Sequence, residues 1–125
     1  MGLVRKRLKL MGSKGEVEVE ALFDTGASYS CIRPELAERL AHVEPLRRPK
    51  ELGTADENHS VRVTAAVRLD FELDGVVLSD EFMVVPNLRR EVIIGVSTMQ
   101  KWRMKIDLER EELLLDPRVG ELWLL

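Results

Sequence analysis

The sequence predicts a mainly β domain, on three observations. Apolar and polar residues alternate with a period of two over several stretches, which is typical of strands with one face on a core. Residues that favour tight turns separate these stretches, and the helical segments between them are short. With 125 residues, 45% of them hydrophobic, the chain has the length and composition of one domain with its own core. We therefore expect residues 1–125 to form one domain.

Local patterns place the elements along the chain. Gly12-Ser13-Lys14-Gly15 and Asp74-Gly75 favour turns between alternating stretches, and Pro34 suits the first position of a helix. Ser97 is expected to cap a second helix, whereas Pro45 and Pro49 bracket an extended connection. Asp116-Pro117 predicts a turn, followed by an apolar tail over 122–125. In order, we predict strands at 3–11, 16–23 and 30–32, a helix at 34–41, strands at 61–73, 76–85 and 92–94, a helix at 98–102, and a final hairpin of 104–108 and 113–115.

Charge and composition argue against several classes of protein. The formal net charge of -3 gives no basis for binding nucleic acid, and no apolar stretch reaches the length of a membrane span. The single cysteine, Cys31, excludes an internal disulfide and fits a reducing compartment. His42 and His59 lack the spacing of metal ligands, so we expect neither a metal nor a cofactor. The sequence thus favours a soluble, cytoplasmic protein.

One segment breaks the alternation and carries the chemistry. Ala21-Leu22-Phe23 is an apolar stretch that ends directly in Asp24-Thr25-Gly26, followed by the small residues Ala27 and Ser28. A charged residue at the end of a buried strand violates the local pattern, and such violations cluster at functional sites. Thr25 offers a hydroxyl to neighbouring backbone, and Gly26 permits a tight turn. Asp24 is therefore the candidate catalytic residue, although an ordinary turn carboxylate is the alternative.

Hydrolysis of a peptide bond by carboxylates requires two of them. One carboxylate must be ionised to take a proton from water, and the other must be protonated to polarise the carbonyl. Two carboxylates held about 3 Å apart share one proton because they cannot both ionise near neutral pH. The chain contains no second Asp-Thr-Gly or Asp-Ser-Gly. The second carboxylate would have to come from another copy of the chain, related by a two-fold axis.

Three features of the sequence resemble the retropepsin-like aspartic proteases, the single-domain group that includes the retroviral enzymes. They are the segment from Leu22 to Ser28, the apolar segment Val92 to Gly95 before a short helix, and the hairpin-forming stretch between them. The stretch from Gly95 to Leu108 is more similar to cellular and prokaryotic members than to viral ones. The resemblance implies a small closed β barrel with one or two short helices, and an obligate homodimer that cleaves peptide or protein substrates.

The resemblance also implies a role for individual residues. Asp24 of each subunit would meet at the two-fold axis, Thr25 would hydrogen-bond across that axis, and Gly26 would lie near the substrate backbone. Residues 51–61 would form a flap over the substrate. The residues expected to bind substrate are Ala27, Ser28, Gly53, Thr54, Ala55, Asp56 and Ile94.

The sequence also departs from the viral pattern. Many viral members have an aspartate in the place of Ser28 and an arginine in the place of Val96, which pair with each other. Both are absent here, so the ion pair is missing from both sides. The segment 53–59 is polar and acidic, whereas viral flaps are rich in glycine. These departures leave open an alternative function, a non-catalytic peptide-binding or dimerisation module on the same fold.

Other residues have simpler interpretations. Cys31 lies in an apolar strand, and burial as a small hydrophobe is favoured over a role as nucleophile. Trp102 and Trp123 are expected to be packing residues. The apolar tail at 122–125 is either a strand docked on its own core or a strand buried at the dimer interface.

Overall fold

The computed structural model describes residues 2–54 and 59–124, and it is mainly β, as the sequence predicts. Seven strands form a sheet in the order β1-β2-β7-β3-β6-β5-β4, and pairing of β1 with β5 closes the first six into a barrel. The helices are α1 (Pro34–Leu40), α2 (Val96–Lys101) and a 3-10 helix (Pro117–Gly120). The strands are β1 (Leu3–Gly12), β2 (Gly15–Asp24), β3 (Cys31–Ile32), β4 (Glu44–Gly53), β5 (Ser60–Leu73), β6 (Val76–Val84) and β7 (Val92–Ile94), with β8 (Lys105–Asp107) and β9 (Glu112–Leu114) as a separate hairpin.

The barrel closes because β1 pairs with strands on both of its sides. It pairs antiparallel with β2 along its whole length, from Leu3 opposite Asp24 to Gly12 opposite Gly15. Near its end, Leu10 of β1 also lies opposite Phe71 of β5. Closure removes the edges of the strands involved and directs alternate side chains into one interior.

The main core fills this interior with the apolar half of each alternating strand. Phe71 and Phe82 meet edge to face there, with ring centroids 6.0 Å apart. Helix α1 adds its buried residues Leu36, Ala37 and Leu40. Further fully buried members of this core are Leu10, Val19, Phe23, Ile32, Leu69, Leu73, Leu78 and Ile94.

A smaller group of apolar residues, which we call the second cluster, joins the β4–β5 hairpin to the segment that follows Asp24. The hairpin contributes Leu52 and Val61, and the segment after Asp24 contributes Tyr29. Its buried members are Cys31, Val63, Ala66, Met83 and Val85, and the partly buried residues packed on them are Tyr29, Leu46, Leu52, Val61, Leu88 and Ile93. The predicted burial of Cys31 is confirmed.

The segment around Pro45 and Pro49 is a strand, so its prediction as a mere connection was wrong. β4 pairs with β5 from Glu44 to Pro45 and again from Lys50 to Gly53, with a shift of register between the two parts. β4 is the edge strand of the sheet, so the backbone groups on its outer side need no hydrogen-bond partner in another strand. Proline is tolerated at such an edge because its missing N–H interrupts no central pairing.

The apolar tail does not dock on its own core. Leu122, Trp123 and Leu124 are 85%, 80% and 98% exposed, and none of them belongs to a strand. The expectation that Trp123 packs is therefore wrong for the single chain, whereas Trp102 is half-buried and its indole N–H donates to the Ser79 carbonyl at 3.0 Å. Within the part of the chain that the structure describes, no helix is long and apolar enough to cross a membrane.

Candidate active site

Asp24 is the last residue of β2, and a tight turn holds its carboxylate. Its Oδ1 accepts a hydrogen bond from the Gly26 amide at 2.8 Å, and its carbonyl accepts one from the Ala27 amide at 3.1 Å. β2 pairs in parallel with β7, which places Phe23 beside Ile94 and brings Gly95 to the level of Asp24. The side chain is half-buried at the end of the barrel wall. Strand and turn together fix the carboxylate at one position, as the sequence predicts.

The start of the chain braces this turn through Thr25. The Thr25 amide donates to the Gly2 carbonyl at 3.0 Å, and the Gly2 amide donates to Thr25 Oγ1 at 2.8 Å. The predicted hydrogen bond from Thr25 to neighbouring backbone is thus confirmed within one chain. The bond across a two-fold axis remains a prediction.

Helix α2 holds the other side of the turn through its first free backbone amides. Val96 donates to the Ala27 carbonyl at 2.8 Å, and Ser97 donates to the Ser28 carbonyl at 3.4 Å. The prediction that Ser97 caps this helix is wrong, because the helix begins at Val96 with no side-chain cap. The carbonyls of the turn take over the role of a cap. Backbone hydrogen bonds therefore join the start of α2 to Ala27 and Ser28.

Buried hydroxyl groups behind the turn were not predicted from the sequence. Ser30 and Thr98 are 1% and 0% exposed and share a hydrogen bond, and the Gly95 amide donates to Ser30 Oγ at 3.0 Å. Gly95 itself is required by close packing, since a Cβ there would lie 2.5 Å from the carbonyl carbon of Tyr29. The sequence did contain a signal for these groups, because Ser30 and Thr98 are small polar residues within largely apolar segments.

Comparison with known proteins decides the family. The sequence model of a family described as aspartyl protease matches residues 10–98, which include the Asp24 turn and β7. The chain belongs to the aspartyl protease family. A comparison with curated protein sequences gave no match.

Solved structures of retroviral protease-like proteins share the fold. The retroviral protease-like domain of Ddi1 from Leishmania major is 22% identical with a TM-score of 0.67, over 93% of this chain and 90% of that one. The EIAV protease, in complex with an inhibitor, is 16% identical with a TM-score of 0.60, over 86% of this chain and 94% of that one. The fold is thus of the retropepsin-like type, with the closed barrel and short helices expected.

In this member of the aspartyl protease family, the residues predicted to bind substrate do not all lie at the site. Ala27 and Ser28 lie in the turn beside Asp24, whereas Gly53 ends β4 and Thr54 follows it. The Thr54 amide donates to the His59 carbonyl at 3.2 Å, which continues the β4–β5 hairpin beyond the strands. The predicted contacts of Ala55 and Asp56 lie outside the described residues.

Ile94 is a correction to the predicted site. It has 0% exposure and packs in the main core, so it has no surface to offer a substrate. Its neighbour Ile93 points to the opposite side of β7, is partly buried and belongs to the second cluster. Alternation along the strand explains the difference, because successive side chains face opposite sides.

No metal site accompanies the aspartyl protease turn within residues 2–54 and 59–124, where no three His, Cys, Asp or Glu residues come together as ligands. Burial raises the pKa of the Cys31 thiol to about 11, which leaves it protonated and a poor nucleophile near neutral pH. Asp24 remains the candidate catalytic residue of the turn.

Proposed function

We propose that the protein is an aspartic endopeptidase that acts as a homodimer, with one Asp24 from each subunit. The observation that carries the proposal is a single Asp-Thr-Gly turn, held from both sides by backbone hydrogen bonds. One chain supplies one such carboxylate, whereas the reaction needs two. A second copy related by two-fold symmetry supplies the other.

The paired Asp24 carboxylates would share one proton and bind a water molecule between them. The ionised carboxylate takes a proton from this water as it attacks the peptide carbonyl, and the protonated one donates to the carbonyl oxygen. The hydrogen bond from the Gly26 amide to Asp24 Oδ1 orients the carboxylate for this task. Thr25 and Gly26 therefore support the site without reacting.

The substrate would lie as an extended strand between the turn and the β4–β5 hairpin. Backbone hydrogen bonds hold a peptide in this arrangement, and side-chain pockets select its sequence. Ala27 and Ser28 on one side, and Gly53 and Thr54 on the other, are proposed to contact it, together with Ala55 and Asp56. Ile93, Leu52 and Val61 of the second cluster are partly exposed and apolar, which favours apolar substrate residues near the cleaved bond.

Replacement of the catalytic carboxylate tests the proposal. Asp24→Asn removes the ionisable group and keeps the shape, so we expect cleavage of a diverse peptide pool to be lost at every pH from acid to neutral. Asp74→Asn is the matched control, because Asp74 lies in an exposed turn with a φ of 51°, a conformation that asparagine also adopts. This variant should retain activity, and pepstatin should inhibit it.

Two results would contradict the catalytic role of Asp24. The first is cleavage by a folded Asp24→Asn variant. The second is peptide binding by the wild-type protein without turnover under any condition, which would favour the non-catalytic module. Sedimentation of both variants shows whether assembly is intact. The cytoplasmic location stays a prediction, to be checked by cell fractionation.

A further inference from the structure

Among the exposed arginines without an ion-pair partner in the described residues, four occur as two adjacent pairs, and we call these four the arginine rim. Arg47 and Arg48 lie in β4, and Arg89 and Arg90 lie in the loop before β7. Each pair directly follows a leucine, Leu46 in the first case and Leu88 in the second. The chain as a whole has a formal net charge of -3, so these unpaired positive charges are a property of this part of the surface and not of the whole protein.

The second cluster fixes the position of both pairs. Leu46 and Leu88 pack on it, and it also contains Leu52, Val61 and Ile93, which we propose to contact the substrate. The shift of register between Pro45 and Lys50 leaves Arg47 and Arg48 outside the ladder with β5. The arginines therefore surround the same apolar surface from two directions.

Contacts with Arg33 hold the loop that carries Arg89 and Arg90. The guanidinium of Arg33 donates to the Arg89 carbonyl at 2.6 Å and to the Leu88 carbonyl at 3.3 Å, and its amide donates to the Glu91 carbonyl at 3.1 Å. With the loop fixed, the side chains of Arg89 and Arg90 are presented to solvent from a defined position. Less entropy is then lost when they bind an anion.

Arg90 also lies near β2, the strand that ends in Asp24. It lines a surface cavity of about 300 Å³ together with Leu22, which lies two residues before Asp24. The same cavity is lined by Leu3 and Val4, and its charged edge consists of Arg5, Arg90 and Glu111. A cavity with an apolar floor and a mostly basic edge lies within a few residues of the catalytic carboxylate.

Two acidic residues in the described part of the hairpin have partners of their own. Glu51 pairs with Arg62 at 3.7 Å and accepts from Ser60 at 3.2 Å, and Glu44 lies 3.8 Å from His42. Lys50 adds a further cation and stacks over the Tyr29 ring at 5.3 Å. The charge of Arg47 and Arg48 is thus available to a bound peptide, whereas the exposed Glu91 follows Arg90 directly and offsets part of the charge of the second pair.

We propose that the substrate carries acidic residues on both sides of the apolar residues at the cleaved bond. This inference rests on the proposed function and names the substrate class of that site. Arginine suits the role because its planar guanidinium binds a carboxylate through two hydrogen bonds. The attraction acts between exposed groups, so it is moderate in size and weakened by salt.

Matched peptides and matched variants test the proposal. Two peptides share an apolar centre and differ only in flanking residues, aspartate in one and asparagine in the other. The variants are Arg47→Gln/Arg48→Gln and Arg89→Gln/Arg90→Gln, and the control is Lys14→Gln/Lys105→Gln, which removes the same charge from exposed positions outside the rim. We expect the kcat/KM of the wild type to be about tenfold higher for the aspartate peptide than for the asparagine peptide. In each rim variant this ratio should be smaller by a factor of about three.

Salt and a binding assay complete the design. Raising ionic strength from about 0.05 M to about 0.5 M should remove most of the preference, and the control variant should behave as wild type. Fluorescence anisotropy with Asp24→Asn measures peptide binding without cleavage. If the aspartate peptide binds more tightly but the wild type cleaves neither peptide, the proposed role of the arginine rim is supported and the proposed protease function is refuted. Equal cleavage or equal binding of the two peptides by the wild type, or a preference as large as that of the wild type in both rim variants, would refute the proposed role of the arginine rim.

Discussion

At Ser30 and Thr98 the interior behind the catalytic turn becomes polar. The two hydroxyl groups hydrogen-bond to each other, and Ser30 also accepts from the Gly95 amide, so no buried side-chain polar atom in the described residues is left unpaired. The three groups therefore satisfy one another inside the fold. An unpaired hydroxyl at this depth would cost about 1–3 kcal/mol, which explains why the three groups occur together.

Cys31, next to Ser30, gives a prediction on pH and stability. Its thiol has a pKa of about 11 in the folded chain against an ordinary value of 9.0, because burial disfavours the thiolate. The folded state therefore holds this proton more tightly than the unfolded state. The stabilisation is complete below about pH 9 and is lost as the pH rises towards 11, and it amounts to at most about 3 kcal/mol.

A valine at position 31 provides the comparison, since it fills a similar volume and does not titrate. Urea unfolding of wild type and Cys31→Val at about pH 8 and about pH 10.5 gives the difference between their free energies of unfolding. We expect wild type to lose stability relative to the variant at the higher pH. A difference that stays constant between the two pH values would show that the thiol does not titrate in this way.

Among the elements, α2 and the catalytic turn behave as one unit. Gly95 begins this unit, and a Cβ at this position would lie 2.5 Å from both the carbonyl carbon and oxygen of Tyr29 and 2.9 Å from the Ala27 carbonyl oxygen. These are backbone atoms, so relief of the overlap requires α2 or the turn to move. Displacement of either would disturb the position of Asp24.

Gly95→Ala is therefore expected to destabilise the fold by about 1–3 kcal/mol, the usual cost of overpacking, and to abolish cleavage. Gly15→Ala is the matched control, because nothing lies within 4 Å of a Cβ at that position. Urea unfolding and peptide cleavage measure the two effects. A Gly95→Ala variant as stable and active as the control would contradict the close packing of α2 on the turn.

The same elements show what could be predicted from the sequence. Turns such as Asp74-Gly75 and the Asp24 segment depend on neighbouring residues, so their positions were predicted correctly. The start of α2 depends on carbonyls of Ala27 and Ser28, far away in the sequence, and the first helical residue was therefore missed. β4 was missed because only its edge position makes its prolines acceptable. The brace between Gly2 and Thr25 and the location of the arginine rim likewise arise from tertiary contacts.

For the whole molecule, the exposed tail indicates where a second copy would bind. Leu122, Trp123 and Leu124 form a continuous exposed apolar segment, which is costly to leave in water. We expect Trp123→Asp to weaken the dimer by at least about 30-fold, since a buried tryptophan at an interface contributes about 2 kcal/mol or more. Activity should fall at low protein concentration and recover in part at high concentration.

Sedimentation velocity over a range of concentrations measures this effect. The control is Val77→Asp, which places the same charge on another exposed apolar residue, 52% exposed in β6. The control should sediment as wild type. If both variants remain dimers of unchanged affinity, the tail is not part of the interface.

The attachment of α2 to the turn has a consequence for how the sequence of this protein can vary. Both bonds between them join main-chain atoms, from Val96 to Ala27 and from Ser97 to Ser28. Side chains at Ser28 and Ser97, both exposed, can therefore be exchanged while the attachment persists. A library randomised at these two sites should yield folded proteases with altered selectivity, so this architecture lets recognition diverge while the reaction is preserved.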